Sequence, residues 1–204
     1  MLQIKSLSIY HKKDLHALLK DFSFVLKDGE KVALIGDEGN GKSTLLKLIY
    51  NPALIESYAE YSGEIITGNT IFGYLPQELS EAEKSLSVAE FLTKKSFFHL
   101  PYGEGAKLCS SFGLSYESCR SEQQMSTLSG GEKVKIFFAQ FALGDYNVLI
   151  LDEPTRNLSP LSGPEVRAVL KSFAGTVIGV SHDRKYIAET STRVLKLTPQ
   201  GLCE

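Results

Sequence analysis

The chain is short of cysteine, of long apolar runs and of any excess of one charge, and each shortage removes a class of function. Three cysteines, Cys109, Cys119 and Cys203, stand among 204 residues, odd in number and without a Cys-x-x-Cys pair. That spacing excludes a zinc-ribbon or dithiol redox centre and predicts reduced thiols in a cytosolic protein. Lys and Arg total 22 against 24 Asp and Glu, a formal charge of -2, so the footprint of a dedicated nucleic-acid binder is missing. The densest apolar stretch, Ile136 to Leu143, falls well short of the roughly 18 residues needed to span a bilayer. Met1-Leu2-Gln3-Ile4-Lys5 places polar residues where a secretory signal needs an apolar run. The expectation is a soluble, cytoplasmic protein with no transmembrane segment of its own.

Internal repeats, low-complexity tracts and Pro/Gly/Ser-rich linkers are also missing, so residues 1–204 read as one unit with subdomains. Hydrophobic residues make up 43% of the chain, enough for a true core. A chain of this length buries roughly 70% of its unfolded surface without a metal or disulfide staple. Leu2, Ile4, Leu7 and Ile9 give a partly alternating strand. Phe22 to Lys27, the Asp28-Gly29 turn and Lys31 to Ile35 form a hairpin pattern. Lys42 to Tyr50 has helical spacing and stops at Asn51-Pro52. Gly63 to Leu75 reads as two short strands around Gly68-Asn69, and about 79–142 reads as a helical subdomain. Beyond Gly144, strand and helix alternate: Val148 to Leu151, a helix carrying Val166, Val169, Leu170 and Phe173, a strand from Thr176 to Val180, a short helix near Tyr186, and a strand from Val194 to Leu197. The fold class predicted is α/β, with a mixed or parallel core sheet, an N-terminal antiparallel subdomain and an inserted helical one.

Gly36-Asp37-Glu38-Gly39-Asn40-Gly41-Lys42-Ser43-Thr44 matches G-x-x-x-x-G-K-[ST] between an apolar strand and a helix, the context a P-loop requires. Its glycines turn backbone N–H groups toward phosphate oxygens, Lys42 reaches the β- and γ-phosphates, and Ser43 can ligate Mg²⁺. Asp152 and Glu153 leave the carboxyl end of a buried strand, where open α/β sheets place their ligand crevice. There Asp152 would be the second Mg²⁺ contact and Glu153 would polarise the attacking water, although the pair read alone is equally a solvated acidic turn. Ser129 and Glu132 have capping-box spacing at the start of a helix from Gly130 to Leu143. The adjacent Gly130 and Gly131 cost that helix about 1 kcal/mol each relative to alanine, so an approaching phosphate is the economical explanation. His182 also ends a strand, and alone it reads more readily as structural. Tyr10 either packs or stacks on a base.

In this order the segments resemble the nucleotide-binding domain of the ATP-binding cassette (ABC) family over almost the whole chain. Gly36 to Thr44 resembles its Walker A motif, Gln77 its Q-loop, Leu128 to Glu132 its LSGGE motif, Val148 to Glu153 its Walker B motif, and His182 its switch histidine. Tyr10 matches its adenine-stacking aromatic position. The resemblance implies an ATPase in which ATP on one Walker A is closed over by Ser129, Gly130 and Gly131 of a second cassette in a head-to-tail dimer. Lys42, Gln77, Glu153 and His182 would be the catalytic set, and Ser43, Gln77 and Asp152 would surround Mg²⁺. The homodimer or heterodimer so formed would work on a ribosome or on a separate membrane-spanning subunit.

The chain departs from the family pattern at Ser159, where the loop after Walker B usually ends in Asp. Tyr74-Leu75-Pro76-Gln77-Glu78, Leu128 to Lys133 and Ser181-His182-Asp183-Arg184 look more like soluble ABC-F cassettes than transporter cassettes. ABC-F proteins carry two cassettes and a long linker, whereas this sequence has one motif set.

Overall fold

The computed structural model describes residues 1–93, 101–156, 158–160, 162–198 and 201–203. Strand β1 (Leu2–His11) lies between β2 (Ala17–Leu26) and β4 (Ala59–Thr67) in an antiparallel sheet. Leu2, Ile4, Leu7 and Ile9 are all buried, which strict alternation forbids, because odd and even positions of a strand face opposite ways. Both pairings of β1 slip between Ile4 and Ser8, and Ser6 adopts a left-handed φ of 44° there. This bulge flips the inward face from even to odd positions.

The partner strand meets the bulge with Gly63, at φ 104°. A Cβ there would stand 2.5 Å from the Ser6 carbonyl oxygen and 2.7 Å from the Leu7 Cα. Only glycine fits so close a backbone.

The second sheet has the order β5-β6-β7-β3-β8-β9. Its members are β3 (Lys31–Ile35), β5 (Phe72–Leu75), β6 (Val148–Asp152), β7 (Thr176–Val180), β8 (Arg193–Thr198) and β9 (Gly201–Cys203); all neighbours are parallel except β9. Every residue of β6 and β7 is buried, as continuous apolar runs require when both faces are covered. Val148 and Ile150 join one core with the antiparallel sheet and helix α1 (Lys42–Tyr50). Leu149 and Leu151 face the other way, into a second core with Phe137, Val166 and Leu170.

The predicted hairpin of Phe22–Lys27 with Lys31–Ile35 does not form. β2 pairs with β1, and β3 runs parallel between β7 and β8. The Lys27–Glu30 turn, closed by the Glu30 N–H on the Lys27 carbonyl at 3.1 Å, carries the chain from one sheet to the other. Burial decides this. β2 alternates toward one core, whereas Val32, Ala33 and Leu34 are buried in succession and need a partner strand on each edge. The strands flanking Gly68-Asn69 part in the same way, β4 to the first sheet and β5 to the second.

The described residues between Leu79 and Leu143 include the helices α2 (Glu81–Lys84), α3 (Val88–Thr93), α4 (Tyr102–Ser111), α5 (Tyr116–Cys119) and α6 (Gly130–Leu143). Ser129 caps α6, and the Glu132 carboxylate accepts the Ser129 N–H at 2.8 Å, which completes the capping box. The expectation of reduced thiols is not met for two cysteines. Cys109 of α4 and Cys119 of α5 are paired in a disulfide within the second core, their Cα atoms 6.9 Å apart. The loop over Phe112–Ser115 folds α5 back on α4 and brings them together. The side chain of Cys203 lies outside the described residues. Helices α7 (Ser162–Ser172) and α8 (Arg184–Thr190) follow β6 and β7.

Gly63→Ala is expected to destabilise the chain by roughly 2–3 kcal/mol through strain at the bulge. Denaturant midpoints measure this, and a change under about 0.5 kcal/mol would mean that the bulge is not constrained as described.

Candidate functional site

Strand β3 ends at Ile35, and the loop from Gly36 to Gly41 then presses against β8. Gly36 has φ 147°, and a Cβ there would collide with the Leu197 carbonyl oxygen, so this approach too requires glycine. Helix α1 then opens with no side chain capping its first turn. Its N–H donors and positive end are left for an anion.

Lys42 is only 7% exposed, and its Nζ donates to the carbonyl oxygens of Gly36 at 2.8 Å and Asp37 at 2.6 Å. Burial lowers its pKa, while Glu153 and Asp37 act in the opposite sense. The lysine is thus a desolvated cation held by neutral oxygens, a state that a phosphate would relieve.

The Ser43 hydroxyl donates to Oδ1 of Asp152 at 2.9 Å. Asp152 ends β6 at 2% exposure, and its Oδ2 is buried with no hydrogen-bond partner. Burial raises the carboxyl pKa above the usual carboxylate range, with the Ser43 hydrogen bond, Lys47 and Lys42 opposing. An orphaned carboxylate oxygen beside a hydroxyl is a hard-oxygen donor pair suited to a divalent cation such as Mg²⁺. Among the described residues no group of three or more His, Cys, Asp or Glu could hold a metal. A cation here would draw its remaining ligands from phosphates and water.

Glu153 follows in the left-handed region at φ 56°, its N–H bonded to the Val180 carbonyl of β7 at 2.9 Å. That conformation costs a non-glycine residue on the order of 1–2 kcal/mol. The side chain lines a cavity, and its Oε1 lies 3.6 Å from Nε2 of His182. Burial raises the Glu153 pKa, and nearby His182 and Arg156 counter it. The buried Ser181, whose hydroxyl accepts the Asp183 N–H at 3.1 Å, fixes the turn that carries His182.

A cavity of about 800 Å³ joins these groups; Glu38, Gly39, Gly41, Lys42, Ser43 and Thr44 line it on one side, with Gln77, Glu153 and His182. Its size is that of a small-molecule site. Gln77 reaches it just beyond the end of β5. Gly36, Asp37 and Asn40 shape the loop without lining the cavity; Asn40 Nδ2 donates to the Leu197 carbonyl at 3.4 Å.

Tyr10 departs from its expected place. Ile9 is buried in the core, so Tyr10 faces away from it, and His11 and Leu18 line the cavity instead. The pairing of β1 with β2 slips near Ser6 and again between Ile9 and Tyr10, and no residue spacing announces it. Arg156 and Val180 are further lining residues that the sequence reading did not single out. Ser129, Gly130 and Gly131 do not reach this cavity: Gly130 borders a neighbouring one, and Ser129 and Gly131 border a third beside Ser159. The Ser159 hydroxyl is occupied with Ser162, its oxygen 3.0 Å from that of Ser162.

Asp152→Asn is expected to leave the ligand-free chain at least as stable as wild type at pH 8, because the amide cannot carry the buried charge. A carboxyl with a raised folded-state pKa destabilises the fold only as pH climbs through that value, so the advantage shrinks on acidification. Thermal unfolding at pH 8 and pH 5 measures it. A variant penalised more at pH 8 than at pH 5 would contradict the assignment.

The ABC transporter family model matches residues 19–156. The chain is 36% identical over its whole length to the putative ATP-binding protein YdiF of Bacillus subtilis, covering 30% of that protein. It is 31% identical over 91% of its length to the ribosome protection protein VmlR of the same organism, covering 32% of it. The chain therefore spans about a third of the length of these curated relatives. Among solved structures, the dimeric post-hydrolysis state of the cassette MJ0796, bound to ADP and Pi, superposes with a TM-score of 0.79 at 18% identity, over 100% of this chain and 97% of that one. The chain belongs to the ABC transporter family.

Proposed function

We propose that the cavity binds ATP with Mg²⁺, that a head-to-tail second cassette completes the site, and that hydrolysis drives work on the ribosome by a cytoplasmic, ABC-F-type protein. The observation that carries the chemistry is convergence: Ser43, Gln77, Glu153 and His182 follow four different strands and line one cavity, with Asp152 hydrogen-bonded to Ser43 behind it. Strand carboxyl ends are where an open α/β sheet binds its ligand.

Lys42 and the first turn of α1 bind the phosphates, and Ser43 with Asp152 and Gln77 would hold the cation. Bound there, Mg²⁺ would supply charge neutralisation across the transferring phosphate. Glu153 accepts a proton from the attacking water as its oxygen bonds to the γ-phosphorus and the bond to the bridging oxygen breaks. Its elevated pKa makes it a stronger base than an exposed carboxylate. His182, beside Glu153, monitors the γ-phosphate.

The need for a second cassette is supported by the placement of Ser129, Gly130 and Gly131 outside this cavity. The α6 end they open carries a double-glycine turn suited to another chain's phosphates. The ribosome is supported by the likeness to VmlR and by the ABC-F style of the 74–78, 128–133 and 181–184 segments. Among the described residues no helix is long and apolar enough to cross a membrane.

The steady-state ATPase rate per chain is expected to rise with protein concentration, to rise again on adding ribosomes at low salt, and to vanish in Glu153→Gln. A rate independent of concentration would overturn the dimer. Indifference to ribosomes would overturn the ribosomal partner and point to a membrane-spanning subunit.

A further inference from the structure

Arg156 is the feature of the cavity that neither the motifs nor the chemistry above has used. It closes a four-residue turn from Glu153, its N–H bonded to the Glu153 carbonyl at 3.0 Å, so its position is tied to that of the strained carboxylate. It lines the main cavity and also the neighbouring one of about 420 Å³; Gln77 and Glu153 are likewise shared by both, whereas His11 and Leu18 line only the first. Arg156 therefore stands at the Glu153 and Gln77 side of the site, away from the His11 side.

Lys42 and Arg156 are the lysine and arginine among the described lining residues, set against Glu38 and Glu153 in the lining and Asp152 behind it. Lys42 is buried and bonded to the loop carbonyls, whereas Arg156 is exposed. Among the described residues the Arg156 guanidinium makes no hydrogen bond and no ion pair. The position where the family's loop usually supplies an acid is Ser159, neutral and engaged with Ser162. A planar cation with five donors and, among the described residues, no ion-pair partner, beside a water-activating carboxylate, is suited to a phosphoryl group whose equatorial oxygens carry charge.

We propose that Arg156 is a catalytic residue, supplied within the same chain, that contacts the γ-phosphoryl group and neutralises its charge in the transition state. This rests on the cavity being the hydrolytic site. As the water oxygen bonds to phosphorus and the bridging oxygen leaves with ADP, Glu153 takes the water proton while the guanidinium donates to the phosphoryl oxygens. Arg156 itself neither gains nor loses a proton.

The test compares wild type, Arg156→Ala and Arg156→Lys for the affinity of a fluorescent ATP analogue, single-turnover hydrolysis, and trapping of ADP with orthovanadate, a mimic of the pentacoordinate phosphorus of the transition state. Arg156 is exposed, and thermal melts verify that the variants fold. Arg156→Ala is expected to bind the analogue within about threefold of wild type, to hydrolyse on the order of 10²–10³ times more slowly, and to lose vanadate trapping. Arg156→Lys is expected to recover part of the rate. Turnover within threefold of wild type, undiminished trapping, or an affinity loss as large as the rate loss would each overturn the proposal. A wild-type chain that binds ATP without turning it over overturns the hydrolytic reading and this assignment with it, which is distinguishable from an active chain indifferent to Arg156.

Discussion

The hydrogen bond from Ser43 to Asp152 ties together the two halves of the molecule that make a site. Ser43 stands in the first turn of α1, whose apolar face fills the core beneath the antiparallel sheet. Asp152 ends a strand buried on both faces. Everything in between is arranged to keep a carboxylate dry. Burying it costs free energy, and one oxygen is left unpartnered, so the site is destabilised relative to a core of plain apolar groups. A fold that tolerates such a group leaves it ready for a cation, and the raised pKa is the thermodynamic mark of that readiness.

Around this bond the sheet topology does the positioning. Parallel strands β5, β6, β7 and β3 all deliver their carboxyl ends to one edge, so residues separated by more than a hundred positions meet without any long-range loop. Glu153 pays for its place with a left-handed backbone, and His182 meets it through a turn held by buried Ser181. The signature turn of α6 points elsewhere. Its serine is satisfied by Glu132, and its glycines border cavities other than the one beside Lys42.

Much of this was legible in the residues. The glycine-rich loop, the apolar β6 run and the capping box each have one physical solution, and the structure adopts it. The hairpin reading failed where local chemistry was degenerate. Asp28-Gly29 suits a hairpin and a sheet-to-sheet crossing equally, and only the two-sided burial of Val32 to Leu34 decides between them. Tyr10 and His11 are adjacent, and the register shifts along β1 leave His11, not Tyr10, in the cavity lining. The pairing of Cys109 with Cys119 depends on how α5 folds back on α4, which spacing alone does not encode. Arg156 was hidden for a different reason: a charged residue in a polar loop carries no periodic signal, and its meaning comes from what the turn places beside it.

The central claim, that each site takes its phosphate-binding and water-activating groups from one chain and its closing turn from another, is tested most directly by complementation. Glu153→Gln disables the first contribution. Gly131→Asp disables the second, since a carboxylate is tolerated at a helix N-terminus but repels an incoming phosphate. Each variant alone is expected to be inactive, and an equimolar mixture is expected to regain ATPase activity, because mixed dimers contain one intact site. A mixture as inactive as its components, or an active Gly131→Asp chain on its own, would contradict the account.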